Sequence, residues 1–154
     1  MNKAAIFKTL EVVLIALMTL LVVNVLWQVF SRYALNAPSR FTDELARYMM
    51  IWIGLLGAAF VSGERGHIAI DLFSKNKSPE AQKKIRSLIS MLIIAFAFTV
   101  LIIGGTWLVY TRFILDVTSA ALKVPMAFVY LALPLSGILI IYFEVEHLLS
   151  ESKI

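Results

Sequence analysis

Four apolar stretches, Val12–Phe30, Leu45–Val61, Leu88–Tyr110 and Val124–Phe143, constrain this chain more than any other feature. Each approaches the ~20 residues that an α-helix needs to cross ~30 Å of hydrocarbon. The connections between them are too short for a folded soluble domain, and neither an internal repeat nor a low-complexity tract is visible. The expectation is an all-α polytopic membrane protein with four transmembrane helices, forming one domain over residues 1–154. Composition agrees: 60% of the 154 residues are hydrophobic and 16% charged, with a mean hydropathy of +0.87. A soluble domain carries about 25% charged residues, so too few remain here to cover a water-facing surface.

The first stretch follows Lys3 and Lys8 as a secretory signal would, but it runs on through Leu26-Trp27-Gln28-Val29-Phe30 with no small-x-small cleavage pattern. It reads as a retained span. In the second, only Met49–Val61 lacks strongly polar side chains, about 20 Å of helix. That segment is expected to be short or tilted, with interfacial segments and Arg47 snorkelling to the surface. The third helix is expected to start with Ser78 as N-cap, Pro79 in the first position and Glu80 at the positive helix end, and to run unbroken to Tyr110. Its first turns carry Lys83, Lys84 and Arg86, suited to an anionic inner leaflet.

With four spans, the termini and the middle connection share one side and hold nine Lys and Arg residues, while Arg32, Arg40, Arg47, Arg112 and Lys123 make five on the other. The positive-inside bias places both termini in the cytoplasm. The formal charge of +4 is thus a matter of loop distribution and calls for no nucleic-acid partner.

Catalytic chemistry is hard to place. The chain has no cysteine, which removes disulfides, thiolate metal sites and thiol redox chemistry. Glu11, Arg32, Arg47, Arg112, Glu144 and Glu146 all fall at expected span ends, where snorkelling suffices, so a proton-coupled exporter lacks its deep acidic group. His67 and His147 lie outside the spans and cannot face each other across a haem within one copy. No phosphate loop, zinc helix, nucleophile elbow or calcium loop occurs. Gly54-x-x-Gly57 and Gly104-Gly105 read as helix close-packing points. No catalytic residue, metal ligand or cofactor is expected in this chain.

The polar residues that remain suggest partners. Asn24 and Gln28 share a helical face and can bond either to another helix of this chain or to a second membrane subunit. Pro134, Ser136 and Gly137 predict a kink in the fourth span, with a hydroxyl satisfying the carbonyl that proline leaves free. Between Arg32 and Asp71 the motifs are densest. Thr42 can cap the second helix, Asp43 and Glu44 complement its positive end, and Arg47 lies within one turn of both. For His67 and Asp71 an interfacial hydrogen-bonded turn stands beside a proton or metal site as an alternative.

In these elements the chain resembles the small membrane subunit, DctQ-like, of tripartite ATP-independent periplasmic (TRAP) transporters. The resemblance rests on Phe30-Ser31-Arg32-Tyr33, Asp43-Glu44-x-x-Arg47, Trp52, Gly57, Arg65-Gly66-His67-Ile68 with Asp71, and Pro125-x4-Tyr130-x3-Pro134. Phe41 stands where that family often has tryptophan. The resemblance implies a non-catalytic scaffold in the bacterial inner membrane. Its implied partners are a large multi-span subunit that carries the sodium and substrate sites and performs transport, and a periplasmic binding protein that delivers an organic anion such as a C4-dicarboxylate or sialic acid. Arg32, Tyr33, Asn36, Arg40, Arg112, Asp116 and Lys123 then become candidates for binding-protein docking. Asn24, Gln28, Glu44, Arg47 and Trp52 become candidates for contact with the large subunit or the membrane interface, while Asp43, Gly57, Arg65, His67, Asp71, Pro125, Tyr130 and Pro134 are motif residues without an assigned role. A self-sufficient four-span exporter and a non-transport membrane adaptor are the competing readings.

Overall fold

A computed structural model describes residues 3–37, 39–64 and 79–151. Its helices are α1 (Lys3–Tyr33), α2 (Arg40–Gly63), α3 (Pro79–Phe96), a π-helical segment (Ala97–Gly104), α4 (Gly105–Ile114), α5 (Met126–Tyr130) and α6 (Ala132–Glu151). They form four helical runs long and apolar enough to cross a membrane, with α3 to α4 and α5 to α6 as the third and fourth. Among the described residues the only sheet-like pairing is an isolated bridge between Thr118 and Pro125.

The fourth span lies at the centre. In its most apolar stretch 39% of the residues are buried within the chain, against 6% in that of the first, and α6 packs on α2, on α3 and on the π-helical segment. Helix α1 lies against α2 and leaves Val12, Ile15, Leu20, Val22, Val23 and Leu26 exposed, as a helix whose outer face meets lipid or another subunit must. The core joins Leu10, Leu56, Ala59, Ala97, Leu101, Ile140 and Phe143. At its α1 edge, Phe7 stacks on Phe60 at 4.5 Å and meets Phe143 edge-on at 6.3 Å. A Cβ on Gly63 would come within 3.0 Å of that ring.

Three sequence expectations change. Helix α2 begins at Arg40 and is 24 residues long, about 36 Å, enough to span the bilayer core. Its N-cap is Ser39, not Thr42: the Ser39 hydroxyl accepts the Thr42 N–H at 3.4 Å and the Thr42 hydroxyl returns a bond to the Ser39 carbonyl at 2.9 Å. The polar first turn, Arg40 to Glu44, hid this start from a reading based on apolar runs. The third span continues past Tyr110 to Ile114 and is not uniformly α-helical, because eight residues are wound as a π-helix. Thr99 supports the transition by donating to the carbonyls of Ala95 and Phe96 at 2.8 and 3.4 Å.

The fourth span breaks at Leu131, between α5 and α6. Proline at 134 cannot donate to the carbonyl of Tyr130, four residues back, so the two helices meet at this point. The Ser136 hydroxyl bonds to the Leu133 carbonyl at 2.9 Å and not to the carbonyl that Pro134 leaves free. The glycines also divide differently from expectation. A Cβ on Gly105 would lie 2.8 Å from the Leu133 Cβ, and one on Gly137 would lie 2.9 Å from the Leu101 Cβ, so these two let the third and fourth spans approach. Gly104 has only an ordinary contact at 3.7 Å, and Gly54 and Gly57 face open space.

Candidate functional site

The polar residues concentrate at the end of the bundle where α1 turns into α2 and α4 into α5. Asn24, buried on α1, donates its amide to the Thr42 carbonyl at 2.9 Å. One turn on, the Gln28 amide donates to the Asp43 carboxylate, and the Ser31 hydroxyl bonds to the Gln28 carbonyl at 3.0 Å. Asn24 and Gln28 therefore fasten α1 to the first turn of α2 within this chain. The Arg47 Nε reaches back to the Asp43 carbonyl at 3.5 Å and the side chain is exposed. Trp52, half-buried, packs against the core.

Glu44 gathers four hydrogen bonds. Its carboxylate accepts the backbone N–H groups of Ala120, Ala121 and Leu122 at 3.2, 2.8 and 2.9 Å, together with the Tyr48 hydroxyl at 2.7 Å. The same hydroxyl lies 3.2 Å from the Met126 sulfur. An ionised carboxylate accepts at both oxygens, and charge-assisted bonds of this kind are the stronger class. The 115–125 connection is closed further by Ser119 N–H to the Val124 carbonyl at 2.9 Å, Met126 N–H to the Val117 carbonyl at 2.8 Å and Val124 N–H to the Ser119 hydroxyl at 3.3 Å. Asp116 and Lys123 within it, and Asn36 between α1 and α2, hold left-handed backbone angles, with φ of 47°, 55° and 49°.

Around this framework Arg32, Tyr33, Asn36, Arg40, Asp116 and Lys123 are exposed, and Arg112 is half-buried in the last turn of α4. Pro125 is the N-cap of α5, and Tyr130 and Pro134 are half-buried at the break in the fourth span. Trp27 and Phe30 on α1, and Trp107 and Tyr110 on α4, form exposed aromatic pairs with ring centres 5.9 and 6.2 Å apart, side chains suited to a headgroup boundary. Arg65, His67 and Asp71 lie outside the described residues, as do Ser78 and the side chains of Pro79 and Glu80.

At the other end the structure corrects one expectation. Glu144 does not snorkel: it is fully buried, and one carboxylate oxygen accepts the Ser62 hydroxyl at 2.7 Å. Beside it an apolar groove of about 440 Å³ runs between α2, α3 and α6, lined by Gly54, Gly57, Ala58, Val61, Ser62, Ile93, Ile140 and Glu144. Lys3 lies 3.3 Å from both Glu146 and His147, bringing the start of α1 to the last turns of α6. Among the described residues no cluster of His, Cys, Asp and Glu could hold a metal ion. Tyr48, Ser62 and Ser119 are the residues that the sequence did not single out. Tyr48 alone had a signal, standing one helical turn after Glu44.

Residues 21–153 match the family model for the DctQ component of tripartite ATP-independent periplasmic transporters. The chain belongs to this family. Among its relatives, a Haemophilus influenzae protein whose name places it with the TRAP transporter small permease proteins is 28% identical over 145 residues, covering 93% of this chain and 87% of the relative. The sialic acid TRAP transporter small permease protein SiaQ of Vibrio cholerae is 22% identical over 144 residues, covering 94% and 82%. These relatives are transporter permease subunits, not enzymes. For a DctQ-family chain, the four apolar helices describe a multi-pass membrane protein.

Proposed function

We propose that this chain is the small permease subunit of a sodium-coupled TRAP uptake system for an organic anion, scaffolding the large transport subunit and helping to dock the periplasmic binding protein. The observation that carries the reading is the family match across residues 21–153. The sodium and substrate sites belong to the large subunit in this reading, and the substrate is a C4-dicarboxylate, sialic acid or a related carboxylate. The sialic acid named for the Vibrio cholerae relative favours that member of the class without deciding it at 22% identity. In this reading the protein lies in the inner membrane, and the distribution of Lys and Arg supports cytoplasmic termini, with Arg32, Tyr33, Asn36, Arg40, Arg112, Asp116 and Lys123 on the periplasmic side. The exposed apolar face of α1 supports a scaffold role, since it leaves surface for both bilayer and partner. Purification from the native membrane in mild detergent tests the proposal: a much larger multi-span protein should accompany this chain in a fixed ratio. Recovery of this chain alone under conditions that preserve other membrane complexes would favour the adaptor reading.

A further inference from the structure

Glu44 and Tyr48 sit one turn apart on α2, yet the amides that Glu44 binds are 76 to 78 residues further along the chain. Three successive N–H groups converging on one carboxylate fix the path of a connection that otherwise has its own turn bonds and the Tyr48 side chain bonded to Ser119. Asp116 belongs to the residue types that tolerate a left-handed backbone, whereas at Lys123 that state is kept only when the surroundings hold it there. Asp43 is engaged by Gln28 and Glu44 by the connection, so the two acids of the α2 start are turned into the fold. Arg32, Arg40, Arg47 and Lys123 are exposed around them, with Asp116 as the exposed acid. The result is a cationic face on a connection held in one shape, and pre-organisation lowers the ordering cost of docking.

We infer that Glu44, steadied by Tyr48, is a positioning residue: it holds the 115–125 connection in the form that presents this basic face to an acidic patch on the periplasmic binding protein. The inference rests on the subunit reading proposed above. It is tested with the complete transporter in proteoliposomes, by following uptake against the concentration of substrate-loaded binding protein at low salt. Hydrogen bonds to a charged group are strong enough that Glu44→Ala should raise the half-saturating binding-protein concentration about tenfold, leaving maximal uptake within about twofold. Tyr48→Phe, which removes one hydroxyl and keeps the ring, should raise it about threefold. Amide exchange at Ala121 and Leu122 should quicken in both variants, and the unmodified transporter should need more binding protein as salt screens the encounter.

An unchanged half-saturation while those amides exchange faster would overturn the inference. So would loss of the large subunit from Glu44→Ala, which would assign the residue to assembly, or a half-saturation indifferent to salt. Binding-protein-dependent uptake that persists without this chain would instead overturn the subunit reading itself.

Discussion

At the residue scale, the buried pair of Ser62 and Glu144 shows how a carboxylate survives inside a membrane bundle. Glu144 is fully buried and takes the Ser62 hydroxyl at 2.7 Å. Removing that donor takes one hydrogen bond from a buried charged group, a contribution of about 1.5–3 kcal/mol. Ser62→Ala should therefore lower the midpoint of thermal unfolding in detergent, and Ser62→Thr, which keeps the hydroxyl, should lower it less; an alanine variant that melts with the unmodified protein would contradict this. The glycines give a second contrast. At Gly105 an added methyl meets the Leu133 Cβ at 2.8 Å, whereas at Gly54 it meets nothing within 4 Å. Gly105→Ala should destabilise by about 1–3 kcal/mol through overpacking, while Gly54→Ala should be neutral or stabilise by up to about 1 kcal/mol through helix propensity. Equal melting of the two variants would remove the close approach of the third and fourth spans.

Among the described elements, α1 packs its backbone on α2 and reaches α6 only through side chains near its start, Lys3 and Phe7, so its far half depends on a few polar contacts. Asn24 joins it to the Thr42 carbonyl and Gln28 joins it to Asp43. Interhelical hydrogen bonds in membranes contribute about 0.6–2 kcal/mol. Asn24→Leu should loosen α1, seen as faster amide exchange along residues 20–30 with α6 unaffected; uniform exchange across both helices would mean that α1 is held by packing alone.

The elements also explain what the sequence could reveal. Four long apolar runs made the spans legible, and the four-residue spacing of Asn24 and Gln28 put both amides on one face. The start of α2 was obscured by its polar first turn, where apolar periodicity carries no signal. The π-helical winding of Ala97–Gly104 leaves no mark in hydropathy, because a π turn and an α turn bury the same residue types. The contacts of Glu44 depend on amides in a connection far along the chain, and backbone donors have no letter in a sequence. Glu144 looked like a span-end residue by position alone; its burial follows from α2 and α6 meeting at Ser62.

For the whole molecule, the claim is a membrane subunit with a cationic docking end and no transport cycle of its own. The native sequence contains no cysteine, so single introduced cysteines report topology without background. Cysteines at Leu35 and Ala120 should react with an impermeant maleimide in intact spheroplasts, and one at Lys8 only after the membrane is opened. Labelling of all three from outside would break the four-span arrangement. The central claim meets its most direct test in liposomes containing this chain alone or with its large subunit. With binding protein, substrate and an inward sodium gradient supplied, substrate should accumulate only when both membrane subunits are present. Accumulation by this chain alone would contradict the account and make it a transporter in its own right.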